Sequence, residues 1–337
     1  MNVKEILKDL VKFNTIQDKE NTKIIDYIEN HLKQIGFSTK YKTKCLVMQI
    51  KNECNLGFLG HTDTVQAGND WSIDPFNMKE EEGKLYGLGT CDMKSGIAAI
   101  IKAVSEIDWK KQKYGIKLYF TYDEEINFSG IKKLIKIEKS FPKNMIIGEP
   151  TNNVIMNASK GLLELKLIFN GISAHSSMPD KGVNAIEKCM ECLIELKDFY
   201  NSLKKDLNRA FKIPHTTMNI GKIYGGKSIN IVPNSCEVLI DFRTMDVLHT
   251  ELILDKIDKL MKKYNGKYEI INSIQPFMNE KEKLCPTDFI TEASFLKAEN
   301  KYILGAGPIN AHEKDEFINV ESLNKLVDQY KEYILKN

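Results

Sequence analysis

"LGFLGHTDTVQAGNDW", residues 56–71, decides the fold. Its first four residues form a short apolar run that reads as a buried strand. The run ends by setting His61 and Asp63 two residues apart. A second stretch, "GLGTCDMKSG" (87–96), then supplies a further acid, Asp92, immediately before a helical pattern, "GIAAIIKAVSEI". Working outward, helical patterns over 4–13 and 20–35 precede strand patterns over 46–51 and 56–59. The strand "GIKLYFTYDEE", a helix near 129–139 and the strand "NMIIGEP" follow. This strand–helix alternation predicts an α/β domain built on a mainly parallel, doubly wound sheet.

The pattern changes near residue 159. "GLLELKLIFNGISAH" alternates apolar and polar residues, as a half-exposed antiparallel strand does. A long helix (182–205), two more strand patterns, a helix (249–264) and "KYEIINSI" complete a β-α-β-β-α-β order, that of a ferredoxin-like α+β domain. The α/β style resumes after about residue 275 and ends in a helix over 321–335. The expected organisation is a catalytic domain from 1–158 and 275–337, with a second domain, 159–274, inserted into it.

Composition excludes several classes. The chain has 337 residues, with 42% hydrophobic and 28% charged side chains and a net charge of +2. Lysines are scattered among nearly as many acids, which gives no support to nucleic-acid binding. No stretch approaches the ~20 apolar residues of a membrane span. "MNVKEILKDLVKF" reads as an amphipathic helix rather than a signal peptide. Seven dispersed cysteines without framework spacing point to a reducing cytoplasm. Cys189 and Cys192 form a C-x-x-C on the apolar face of a helical pattern, where burial as small hydrophobes outweighs redox or metal chemistry.

The polar residues fall at the carboxyl ends of predicted strands, where open α/β sheets form their ligand crevice. His61 and Asp63 follow one strand. Asp92 precedes a helix, Glu124 and Glu125 end another strand, Glu149 a further one, and His312 follows "YILGAG". Singly, each is explained as a turn residue or helix cap. Together they are acids that would repel one another at close range. A pair of divalent metal ions resolves that conflict, and the absence of Cys from these positions favours imidazole and carboxylate ligands. In an extended segment, residues two apart point the same way, so Asp63 can accept a hydrogen bond from His61 and fix its ring. Adjacent Glu124 and Glu125 must point apart, so one can bind metal while the other faces water as a base. Cys91, beside Asp92, invites a nucleophile reading, but no base pairs with it as well as the acids fit metal.

Spread over nearly the whole chain, "GHTDTV…W…DPF", "GKLYGLGTCDMKSG", "DEE", "IIGEPT", "GISAHSSMPDKGVNAIE", "DFR" and "GAGPINAHEKDEFI" resemble the acetylornithine deacetylase and succinyl-diaminopimelate desuccinylase family of dimetal amidohydrolases. Within it, "TEASF" (291–295) and "GPINAHEKDEF" lie on the acetylornithine deacetylase side. The resemblance implies a zinc-peptidase-like catalytic domain and an inserted dimerisation or lid domain. It implies two Zn2+ ions, with Co2+ as a substitute. Asp92 would bridge them, His61 and Glu149 would complete one site, and Glu125 and His312 the other. Glu124 would be general base and acid, Asp63 would orient His61, and the Asp92–Met93 peptide would be cis. From the inserted domain, His175 would steady the oxyanion in the partner's site of a homodimer, and Arg243 and Asn230 would hold the substrate carboxylate. Asn230 also reads as a turn residue and Arg243 as a surface strand charge. The implied substrate is N-acetyl-L-ornithine. Glu292 is a candidate for its distant ammonium, or an ordinary helix-face acid. Succinyl-diaminopimelate desuccinylase and a related dipeptidase are the alternatives within the superfamily, and a catalytically dead binding or regulatory relative is the alternative outside enzymes. "GAGP" departs from the family's glycine-proline-glycine order.

Overall fold

The computed structural model describes residues 1–17, 19–279, 282–287 and 289–337. It divides into two compact units, Met1–Asn157 with Thr291–Asn337, and Ala158–Ile290. The first carries a six-stranded sheet in the order Ser38–Lys42, Leu46–Ile50, Gly115–Thr121, Cys54–His61, Asn144–Ile147, Asn300–Ile303. The last four strands run parallel, and the first two add antiparallel at one edge. This is the mainly parallel α/β sheet expected, with Ser38–Lys42 an edge strand whose alternating exposure the sequence patterns did not single out.

Parallel strands need helical crossovers. Helix Lys94–Ser105 is one, and helices Val3–Val11, Asn21–Ile35 and Val320–Lys336 pack on it. Local sequence sets their ends. Asn2 and Glu5 form a capping box at the first helix, with bonds of 2.9 and 2.8 Å. Gly36, at φ 107°, terminates the second in the left-handed region that other residues avoid. In the last, the buried Tyr330 donates to the Leu304 carbonyl at 2.6 Å and meets Phe58 edge-on at 5.0 Å, tying that helix to the centre of the sheet.

The second unit is a four-stranded antiparallel sheet, ordered Thr217–Gly225, Ser235–Arg243, Leu162–Asn170, Gly266–Ile274, with helices Ala185–Leu203 and Val247–Tyr264. The order is ferredoxin-like. Leu163, Leu165, Leu167 and Phe169 face its core at every second position. Cys189, Cys192 and Cys236 are buried in that core, and burial raises their thiols' pKa. Most elements differ from the sequence expectation by a residue or two at their ends, and two boundaries differ for a clear structural reason. The long helix begins at Ala185 rather than 182, because the Asn184 side chain caps it and Pro179–Lys181 form a separate short turn. The second unit extends to Ile290 rather than 274, because Phe277–Met278 and Pro286–Thr287 pair with Ala158–Ser159 in a small third sheet. Such pairing between segments far apart in sequence carries no local signature. Among the described residues no helix is long and apolar enough to cross a membrane.

One close approach brings the site's pieces together. Helix Lys94–Ser105 starts beside the end of strand Asn144–Ile147, and a Cβ on Gly96 would lie 2.4 Å from the Gly148 carbonyl oxygen. Only a glycine allows Asp92, ahead of the helix, to come near Glu149, after the strand. In an open helix, replacing Gly by Ala stabilises by about 1 kcal/mol. Here backbone must move instead, so Gly96→Ala is expected to destabilise by about 1–3 kcal/mol. Urea unfolding checks the sign, and a variant as stable as the wild type would show that the approach is not tight.

Candidate metal centre

Three parallel strands deliver the first residues. His61 is the last residue of Cys54–His61 and is fully buried. Its Nε2 lies 3.0 Å from Asp92 Oδ1 and 3.7 Å from Glu149 Oε1. Its Nδ1 faces Asp63, at 3.1 Å from the carbonyl oxygen and 3.5 Å from the carboxylate. Asp63 thus holds the ring through backbone more closely than through its side chain. The Asp63 carboxylate accepts the Glu125 amide at 3.2 Å, which links the loops after two neighbouring strands. His312, held in the left-handed region at φ 65°, sets Nε2 3.0 Å from Glu125 Oε2 and 3.6 Å from Asp92 Oδ2.

The two oxygens of Asp92 therefore face different imidazoles. Oδ1 faces His61, which Glu149 also approaches, and Oδ2 faces His312, which Glu125 also approaches. Ligand atoms of His61, Asp92 and Glu125 lie within 4.8 Å of one another, as do those of His61, Glu124 and Glu149. Glu124 is buried at 8% exposure rather than facing open water as its sequence position suggested. The Asp92–Met93 peptide is cis.

The electrostatics record the crowding. Burial, then Glu149 and Glu125, hold Glu124 well above the usual carboxylate range. Burial, then Asp92, pushes Glu149 up to about 7. Burial also raises Glu125, against the pull of His312. The hydrogen bond to Glu125 lifts His312 to about 9. Burial works to lower the His61 pKa, but Glu149, Asp63 and Asp92 outweigh it and raise it well above 6.5. Glu149 Oε1 is buried with no hydrogen-bond partner, which is an expensive condition unless a cation satisfies it. Two imidazoles and a set of carboxylates fit divalent zinc or cobalt, and no Cys among the described residues takes part.

Of the other sequence candidates, Glu292 lies close enough to His61, Asp63 and Glu149 to feel their charges, and the rest belong to the second unit. Glu292, in the short helix Glu292–Phe295, belongs to the first unit but has no solvent exposure. Its Oε2 accepts the Thr121 hydroxyl at 2.7 Å, its Oε1 has no partner, and burial pushes it to about 8. It is therefore not an exposed helix-face acid. His175, Asn230 and Arg243 belong to the second unit. His175 pairs with Ile231, the Ser176 amide donates to the Asn230 carbonyl at 3.0 Å, and the Asn230 side chain accepts from Ser228 at 2.6 Å. Arg243 Nε donates to Asp241 at 3.1 Å.

Two buried charges near the site escaped the sequence reading. Lys94, next to Asp92 and Met93, has no exposure and donates to the Phe13 carbonyl at 2.8 Å, and burial lowers it to about 7. Glu316, four residues after His312, is 2% exposed. Their proximity to ligand motifs was the one available signal. In the second unit Asp206, Asp246 and His249 also gather. There the Met245 amide donates to the Thr216 hydroxyl, which donates in turn to His249 Nδ1, leaving Nε2–H for Asp206, while Asp246 caps a helix. That group is internally satisfied.

Comparison with known proteins agrees with this geometry. Residues 57–336 match the model of "Peptidase family M20/M25/M40". Acetylornithine deacetylases of Pasteurella multocida and Proteus mirabilis are each 34% identical, the alignments covering 93% of this chain and 92% and 90% of theirs. Among solved structures, an aminopeptidase from Bacillus cereus superposes with a TM-score of 0.78 at 20% identity, covering 98% of this chain and 97% of that one. A dinuclear metal-binding M20 peptidase from Bacillus subtilis does so with a TM-score of 0.71 at 12% identity, covering 99% and 97%. This chain belongs to peptidase family M20/M25/M40 and is a metallohydrolase that acts on amide bonds.

Proposed function

We propose that the chain hydrolyses N-acetyl-L-ornithine to L-ornithine and acetate, a step of arginine synthesis, in the cytoplasm and as a homodimer. The observation that carries the chemistry is the double-facing Asp92, with one imidazole and one glutamate on each side. The substrate choice rests on likeness to proteins named acetylornithine deacetylase at up to 34% identity.

His61, Asp92 and Glu149 would hold one divalent ion, and Asp92, Glu125 and His312 the other. When bound, such ions supply a Lewis acid for the carbonyl and draw the pKa of water toward neutrality. Glu124, buried among the ligands, accepts the proton of the attacking water and returns it to the departing amine. Asp63 keeps the His61 ring in one orientation through Nδ1. His175 of a partner copy would donate to the oxyanion. The surface for such pairing is exposed and apolar in the second unit. It comprises Met190 and Ile194 on helix Ala185–Leu203, and Ile223 and Tyr224 on the edge strand Thr217–Gly225.

For the substrate's charges, Arg243 suits a carboxylate because its planar fork matches two oxygens. It lines a cavity of about 350 Å³ in the second unit with Lys160, Lys212 and Phe289. Asn230 lies in the connection beyond the Gly225–Cys236 end of the hairpin, whereas Arg243 pairs with Thr217 at the opposite end, so within one protomer the two do not meet the same carboxylate. Glu292, with an unpartnered buried oxygen, is the candidate for the ammonium. That cavity also favours one second reading. Two lysines beside Arg243 suit an acyl group with its own carboxylate, as in N-succinyl-diaminopimelate.

Three outcomes are expected. A strong chelator abolishes hydrolysis, and zinc or cobalt restores it; full activity in metal-free protein overturns the mechanism. Glu124→Gln keeps its metal while turnover falls by ~10²–10⁴; near-normal turnover removes Glu124 from the role of base. On one metal-loaded preparation, kcat/KM is higher for N-acetyl-L-ornithine than for N-succinyl-diaminopimelate. A reversed preference of about tenfold, ~1.4 kcal/mol in transition-state binding, moves the assignment to the second reading and leaves the mechanism standing.

A further inference from the structure

The loop that carries Asp92 runs from strand Lys84–Tyr86 to helix Lys94–Ser105. A loop so placed leaves several backbone amides without ladder or helix partners. One side chain, far along the chain, takes three of them. Glu316 Oε1 accepts the amides of Cys91 at 2.6 Å and Asp92 at 2.9 Å, and Oε2 accepts that of Gly89 at 2.9 Å. The Glu316 carbonyl adds the Gly87 amide at 3.0 Å and the Thr90 hydroxyl at 3.3 Å.

Glu316 also immediately precedes the strand Phe317–Asn319, which pairs with Lys84–Tyr86 at the loop's other end. Its own backbone leads to His312 four residues earlier. The preceding Asp315 takes the amide and hydroxyl of Ser72, each at 2.8 Å, so a third loop is drawn in. One short segment therefore joins the Asp92 loop to His312.

We infer that Glu316 is the positioning residue of the centre, its carboxylate fixing the backbone from which Asp92 presents one oxygen to His61 and the other to His312. The inference rests on reading that set as a metal site. The chemistry needs a carboxylate. Each of its oxygens accepts and neither donates, so both can face N–H groups. A glutamine of equal shape must turn its NH2 toward at least one of those amides. The loop then shifts, and Asp92 with it. Residues that hold ligands in this way typically change metal affinity by ~10–100-fold when altered.

The test compares wild type, Glu316→Gln and Glu316→Asp as full chains, stripped and then titrated with cobalt alone. Fold is followed by circular dichroism in the stripped state, affinity by competition with a chelator, and ligand geometry by the visible cobalt absorption. In E316Q the stripped protein is expected to stay folded, to bind cobalt at least about tenfold more weakly, and to show an altered cobalt spectrum. E316D restores part of both. A role in stability alone would lower the unfolding midpoint and leave the spectrum of bound cobalt unchanged, and that result overturns the inference. Wild-type protein that takes up no cobalt removes the metal reading, and this inference falls with it. Should E316Q not fold, amide exchange in stripped wild type decides. The amides of Gly89, Cys91 and Asp92 are expected to exchange slowly, and exchange as fast as that of open loops overturns the proposal.

Discussion

Mutual repulsion among buried carboxylates governs this molecule. Asp92, Glu124, Glu125 and Glu149 crowd around His61 beside the carboxyl ends of parallel strands, and Glu124 and Glu149 are buried. Taking one carboxylate into a low-dielectric interior is costly, and several together cannot all remain charged without compensation. The raised pKa values of Glu124, Glu125 and Glu149, and of the two imidazoles, express that tension. Divalent cations would relieve it.

A centre of this kind depends on rigid backbone. Four parallel strands end on one edge of the sheet, and the residues that follow them cannot drift because their loops are held elsewhere. Gly96 lets helix and strand touch, the Asp63 carboxylate holds the Glu125 amide, and Glu316 occupies the amides around Asp92. Tyr330 and Phe58 fasten the last helix under the same edge. Ligand placement within a fraction of an ångström is what distinguishes a working centre from a collection of suitable residues.

The second unit follows a different logic. Its ferredoxin-like sheet buries one face under two helices and leaves Arg243, Asn230 and His175 on strands and loops. These residues stand apart from the candidate metal-ligand set His61, Asp92, Glu125, Glu149 and His312, all of which belongs to the first unit.

The sequence by itself determined the class of fold and which imidazoles and carboxylates gather at one edge of the sheet. Strand and helix periodicity are local, and so is the rule that residues after parallel strands share an edge. His61, Asp92, Glu124, Glu125, Glu149 and His312 were legible for that reason. Tertiary structure alone decided what lies beneath them. Glu316 meets the Asp92 loop across 224 positions. Glu292 is buried against Thr121 rather than lying on an open helix face. The second unit reaches Ile290 through pairing of two-residue strands. Each depends on contacts between segments remote in the chain, whose hydrogen bonds leave no periodic trace in the residues that make them.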